Sequence, residues 1–66
     1  MAGYKVGSRL LNGVVEDKYF TSVNGRKTIV YIFLHDVFPG MTEEDELPKE
    51  VDESLHEGYE VKWFCF

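Results

Sequence analysis

The stretch 28–37, Thr-Ile-Val-Tyr-Ile-Phe-Leu-His-Asp-Val, constrains this chain more than any other. Ile29 to Leu34 form six consecutive apolar or aromatic residues. Ile29, Tyr31 and Phe33 fall on one side of the strand alternation, and Val30, Ile32 and Leu34 on the other. Such a run reads as a β-strand that is apolar on both faces. A strand of that kind needs cover on two sides, and the rest of the chain is read for what supplies it.

Two Asn-Gly pairs come first. Asn-Gly between apolar residues is a strong short hairpin signal, because both residues tolerate the positive φ of a type I′ turn. Asn12-Gly13 is expected to join strand one (4–11) to strand two (14–22), and Asn24-Gly25 to join strand two to strand three (26–37). Two-residue loops also fix register. They would place Leu10 opposite Val15, Val6 opposite Tyr19, Tyr19 opposite Val30, and Val15 opposite Leu34. One face then carries Tyr4, Val6, Leu10, Val15, Tyr19, Val30, Ile32 and Leu34, and is expected to be the core. Asp17 sits awkwardly on it, next to a rim or at a bulge. The other face carries Lys5, Arg9, Glu16 and Lys18 with Leu11, Val14, Phe20, Ile29, Tyr31 and Phe33. Arg9 and Glu16 are expected to pair across it.

Phe38-Pro39-Gly40 ends the third strand. Thr42 and Asp45 resemble a capping box. Pro48 suits the first turn of a helix over 48–57, whose Leu47, Val51 and Leu55 make one apolar stripe. Gly58 would end it. A last strand, 59–66, puts Tyr59, Val61, Trp63 and Cys65 on one face and Phe64 and Phe66 on the other. The expected fold class is α+β: a small antiparallel meander, β-β-β-α-β, with one short helix on one face of a four-stranded sheet. Strand four would run parallel to strands one and three and add beside strand one. The chain, 1–66, is one domain.

A domain of 66 residues buries only about 60% of its unfolded surface. Small domains commonly add disulfides, metals or oligomerisation. The single cysteine, Cys65, excludes an internal disulfide, and no Cys/His spacing suggests zinc. No secretory leader or membrane-spanning run is read, and one free thiol fits a reducing compartment, so a cytoplasmic protein without contact to membrane is expected. The net charge of −5 argues against direct nucleic-acid binding, which needs a basic patch.

No residue set carries catalysis, so neither an enzyme nor a cofactor is expected. His35 and Asp36 are strand neighbours and point to opposite faces, which denies them the geometry of a base and its orienting carboxylate. His56 falls in the last helical turn, where a cation suits the dipole. Cys65 lacks a basic neighbour closer than Lys62 and reads as a small hydrophobe.

Two features point to binding instead. The acidic tract Glu43, Glu44, Asp45, Glu46, Glu50 and Glu53 is commonly a solvated helix face. It can also form a ridge that meets the basic groove of a nucleic-acid-handling protein, imitating DNA. The patch Phe20, Ile29, Tyr31 and Phe33 exceeds the cover one helix stripe can give, and contiguous apolar patches mark interfaces. The leading expectation is a small acidic protein-binding module that inhibits such a partner. The alternatives are an accessory protein whose aromatic sheet face makes a homodimer, and a small-ligand binder at the dimer seam.

The segment 18–66 runs strand, turn, strand, helix, and then Gly58-Tyr59-Glu60-Val61 at the start of the last strand. In that layout it resembles small bacteriophage inhibitors of host RNA polymerase. The resemblance implies an inhibitor that binds a nucleic-acid enzyme. This chain has an additional first strand, and Lys62, Trp63 and Phe64 stand where that family has arginines.

Overall fold

The computed structural model describes residues 2–65, so the placements expected for Met1 and Phe66 lie outside the described residues. Four strands, β1 (Arg9–Leu10), β2 (Gly13–Val23), β3 (Arg26–His35) and β4 (Glu60–Cys65), form one sheet in the order β1-β2-β3-β4. β1, β2 and β3 are an antiparallel meander, and β4 pairs with β3 in parallel. The sheet is mixed and curls into a half-barrel. The parallel direction of β4 matches expectation, but its place does not: it adds beside β3, and not beside β1. Residues Thr28 to Phe33 of β3 pair with Glu60 to Cys65. β3 is long enough to take partners on both sides, whereas β1 offers two residues.

Asn24-Gly25 forms the expected turn. Asn24 has φ 52° and Gly25 φ 78°, and Tyr19 stands opposite Val30 as the register requires. The register slips between Val15 and Asp17, where Glu16 is the extra residue of a β-bulge. Val15 therefore pairs with Phe33, not with Leu34, and Asp17 turns to the opposite face beside Ile32.

This bulge reverses the assignment of faces. The fully buried side chains are Val15, Ile29, Tyr31 and Phe33, joined by Leu10 and Ala2. Tyr59, Val61, Trp63 and Cys65 pack on them, sharing a face as expected. Trp63 stacks on Tyr31 at 4.5 Å between ring centres and meets the Phe33 ring edge-on at 5.6 Å. Of the residues expected to be core, Leu10 and Val15 are buried on the inner face, but Tyr19, Val30, Ile32 and Leu34 lie on the outer face, where Val30 is buried too, at 5% exposed. The bulkier residues of β3 are the ones inside, because aromatic rings bury the most area per side chain.

The first hairpin also differs. Arg9 faces Val14 and Leu10 faces Gly13, so the loop is Leu11-Asn12. Gly13 lies inside β2, where a Cβ would stand 2.5 Å from the Phe33 ring. Residues 5–8 form a turn closed by Ser8 N–H to the Lys5 carbonyl at 3.0 Å, with Gly7 N–H and the Ser8 carbonyl still bonded to Val15 of β2 at 2.8 and 3.0 Å. That turn shortens the expected first strand, and its Gly7 is among the glycines with positive φ.

No α-helix forms over 48–57. The link holds two 3-10 turns, Glu43–Glu46 and Glu53–His56. Leu47 and Leu55 of the expected stripe are half exposed. Asn12, buried at the end of the first hairpin, holds the backbone where that helix was expected to begin. Its Nδ2 donates to the carbonyls of Asp45 (3.0 Å) and Leu47 (2.7 Å), and its Oδ1 accepts the N–H of Lys49 (3.0 Å). Of these groups, a helix over 48–57 would use only the Leu47 carbonyl, since the Lys49 N–H is among the first four that a helix leaves without a partner and the Asp45 carbonyl precedes it. A ten-residue helix is itself marginal without tertiary packing, and Leu47 and Leu55 of its stripe bury little.

Candidate functional site

The aromatic patch is the first candidate to locate. Ile29, Tyr31 and Phe33 have no exposed surface, and only Phe20 remains 42% exposed. The expectation that this face lacks cover is corrected: the chain's own N-terminal segment and second 3-10 turn close it. Gly3 N–H donates to the Leu55 carbonyl at 2.6 Å, and Lys18 Nζ to the Ala2 carbonyl at 2.5 Å. Beneath them runs a polar circuit. Tyr4 N–H donates to Tyr31 Oη (2.8 Å), which lies 2.7 Å from His56 Nε2. His56 Nδ1 is 2.9 Å from the Asp52 carbonyl, and Asp52 N–H donates to Tyr4 Oη at 2.7 Å.

A carbonyl can only accept, so Nδ1 of His56 carries the proton and Nε2 accepts from the Tyr31 hydroxyl. His56 is thus a buried structural imidazole, 1% exposed, rather than a residue answering a helix dipole. Burial pushes the Tyr31 phenol above its ordinary pKa, partly offset by the hydrogen bond from Tyr4. Every buried polar side-chain atom among the described residues has a partner.

The acidic tract is the second candidate. The reach-back half of the capping box forms: Thr42 N–H donates to Asp45 Oδ2 at 2.8 Å. Asp45 also pairs with Lys49 at 2.6 Å. The Lys49 ammonium, then the Thr42 N–H, holds the Asp45 carboxyl below its ordinary range. Glu46 approaches His35 Nε2 at 3.7 Å. Glu43, Glu44, Glu50 and Glu53 are exposed and join no ion pair among the described residues. Asp52 caps the second 3-10 turn, accepting from Ser54 N–H at 3.0 Å. Of the six acidic residues expected to form a ridge, four point to solvent and two are spent on local structure.

Arg9 and Asp36 form a bidentate pair, and not the expected Arg9–Glu16 pair, because β1 sets Arg9 against Val14. The Arg9 guanidinium lowers the Asp36 carboxyl, and Asp36 in turn raises Arg9. His35 Nδ1 lies 3.1 Å from the Asp36 backbone carbonyl, so the Asp36 carboxylate serves Arg9. Burial, and then the charge of Glu46, pushes the Cys65 thiol up, which disfavours the thiolate a nucleophile needs.

An open cleft of about 580 Å³, lined by Gly3, Lys5, Val6, Lys18 and Phe20, lies beside the N-terminal segment. Among the described residues no helix is long and apolar enough to cross a membrane, and no group of three or more His, Cys, Asp or Glu is placed to hold a metal ion. Comparison with family models, with curated proteins and with solved structures finds no match for this chain.

Sequence reasoning missed Asn12 and the outer sheet face. Asn12 carried no distinguishing signal, since Leu-Asn-Gly-Val is also a hairpin sequence. The outer face had one. Tyr59, Val61 and Trp63 share a side of β4, and the rings of Tyr31 and Phe33 are their natural partners.

Proposed function

We propose that this protein is a non-enzymatic binding module. It presents a rigid acidic surface to the basic groove of a nucleic-acid-handling protein in the cytoplasm and inhibits that partner by occupying the groove. The observation that carries this reading is the Asn12 clamp. It pins the backbone of Asp45, Leu47 and Lys49, so the flanking carboxylates are displayed on a fixed track instead of a loose loop. Preorganised charge loses less entropy on binding than a mobile acidic tail does. The charges are also segregated: ten of the twelve acidic residues, but only two of the seven basic ones, lie from Asp36 onward. Such asymmetry steers association with a partner of opposite sign.

The test uses the immobilised protein as bait for basic nucleic-acid-binding proteins in a cell lysate. Captured partners are expected to elute steeply with salt, as exposed charge requires, and to be displaced by duplex DNA. The combined variant Glu43→Lys, Glu44→Lys, Glu50→Lys and Glu53→Lys should capture none while keeping its circular dichroism spectrum. Partners that resist salt and bind the reversed variant equally well would retire the reading.

A further inference from the structure

The outer face of the sheet carries exposed apolar side chains and charges of both signs. Its rows follow from the register: Val14 with Leu34, then Asp17, Ile32 and Phe64, then Tyr19, Val30 and Lys62. Tyr19 and Leu34 are each 48% exposed and Phe64 is 54% exposed, while Val30 between Tyr19 and Lys62 is already buried, so the exposed apolar surface lies along the two flanks of β3. The apolar strip is closed at one end by the Arg9–Asp36 pair and at the other by Arg26–Glu60 at 3.3 Å. Two charges on this face have no ionic partner among the described residues: Asp17 on β2 and Lys62 on β4. They are opposite in sign, lie on strands flanking β3, and stand one row apart.

We propose that this face is the seam of a homodimer, with a second copy stacked on it about a two-fold axis running along β3. That operation lays β4 of one copy over β2 of the other while keeping rows level. Phe64 then covers the row of the partner subunit's Asp17, and Lys62 lies over the partner subunit's Tyr19. Successive side chains on one strand face are about 7 Å apart, within reach of a lysine, so Lys62 pairs with the partner subunit's Asp17, twice by symmetry. A two-fold axis perpendicular to the strands would set β2 on β2 and leave like charges near each other. Three strands about 4.8 Å apart and a few rows long give a modest patch. Two copies bury on the order of 1,000 Å² in total, the lower edge of specific interfaces. An interface of that size suits a weak, reversible dimer, and dissociation in the micromolar range is the behaviour expected of it. The proposal goes beyond the acidic binding surface, since none of the seam residues belongs to that surface.

Sedimentation velocity across a concentration series spanning the micromolar range tests it. The wild-type chain is expected to pass from monomer to dimer. Leu34→Glu should remain monomeric throughout with an unchanged circular dichroism spectrum, since that side chain is already half exposed. Asp17→Lys and Lys62→Glu should each weaken the dimer roughly tenfold, two symmetry-related ion pairs being lost, and the double swap should restore it. A wild-type monomer at every concentration overturns the proposal and leaves the face to a different protein. A dimer indifferent to Leu34→Glu, or single swaps that the double swap fails to rescue, overturns it as well.

Discussion

The chain contains the dipeptide Asn-Gly twice, and the two copies do different work. At Asn24-Gly25 both residues have positive φ, both are exposed, and nothing lies within 4 Å of a Cβ built on Gly25. At Asn12-Gly13 neither residue is among those with positive φ, and both are buried. Asn12 is a clamp on the link between β3 and β4, and Gly13 is a gap that admits the Phe33 ring. Local sequence therefore specifies a turn only where solvent leaves the backbone to its own preferences. Where the same dipeptide is enclosed, its hydrogen-bonding capacity and its missing Cβ are used instead.

The largest effect expected from breaking this comparison is at Gly13. A Cβ there would sit 2.5 Å from Phe33 Cζ and 2.6 Å from the Leu34 carbonyl oxygen. The carbonyl belongs to the β3 backbone and cannot rotate aside. Gly13→Val should cost about 3 kcal/mol, the upper range for overpacking a tight site. In a domain this small that is a large share of total stability. Urea denaturation would read it as a lowered midpoint. A midpoint equal to the wild type would mean that Phe33 moves freely, against its place at the centre of the core.

Asn12→Ala comes next. It removes three hydrogen bonds and leaves the carbonyls of Asp45 and Leu47 and the N–H of Lys49 to find water. The clamp is part-buried, so solvent replaces some of what is lost, and about 2 kcal/mol is expected. The more specific readout is amide exchange. Lys49 N–H should lose protection far more than the β2–β3 amides do, because the clamp holds the link and not the hairpin. Uniform loss across the sheet would make Asn12 a general core residue and weaken the account of the ordered acidic surface.

These effects mark how far the sequence could be read. The β2–β3 hairpin, the parallel direction of β4, the shared face of Tyr59, Val61 and Trp63, and the Thr42–Asp45 contact were legible because each depends on neighbours or on strand alternation. The face that holds the core was not, because one bulged residue, Glu16, inverts every parity argument drawn from Val15. The helix over 48–57 failed for a related reason. Its apolar spacing was real, but a helix that short is marginal without packing, and Asn12, more than thirty residues away, fixes the backbone where it would begin. The acidic carboxylates could be seen in the sequence, but which of them are free could not. Asp45 is bound to Lys49 and Thr42, while Glu43 and Glu44 beside it point to solvent.

The smallest effect is expected at Gly25, and there its sign can be chosen. Gly25 has φ 78° and open space around it, so size is irrelevant and only handedness matters. Gly25→Val forces an L-residue into the left-handed region, at a cost of about 1–2 kcal/mol. Losing glycine's freedom in the unfolded chain returns about 0.4–1 kcal/mol. The net expected loss is about 1 kcal/mol, well below that at Gly13. A D-alanine at 25, accessible by chemical synthesis in a chain this short, adopts positive φ without strain and keeps only the unfolded-state gain. It should raise the melting temperature, whereas D-alanine at 13 should lower it, because β2 there is not left-handed. Opposite signs for one chemical change at two Asn-Gly pairs would establish that the second is a true I′ turn and the first is not. Equal signs would mean that the first hairpin turns at Asn12-Gly13 after all, and the inward face of β2 would have to be reassigned with it.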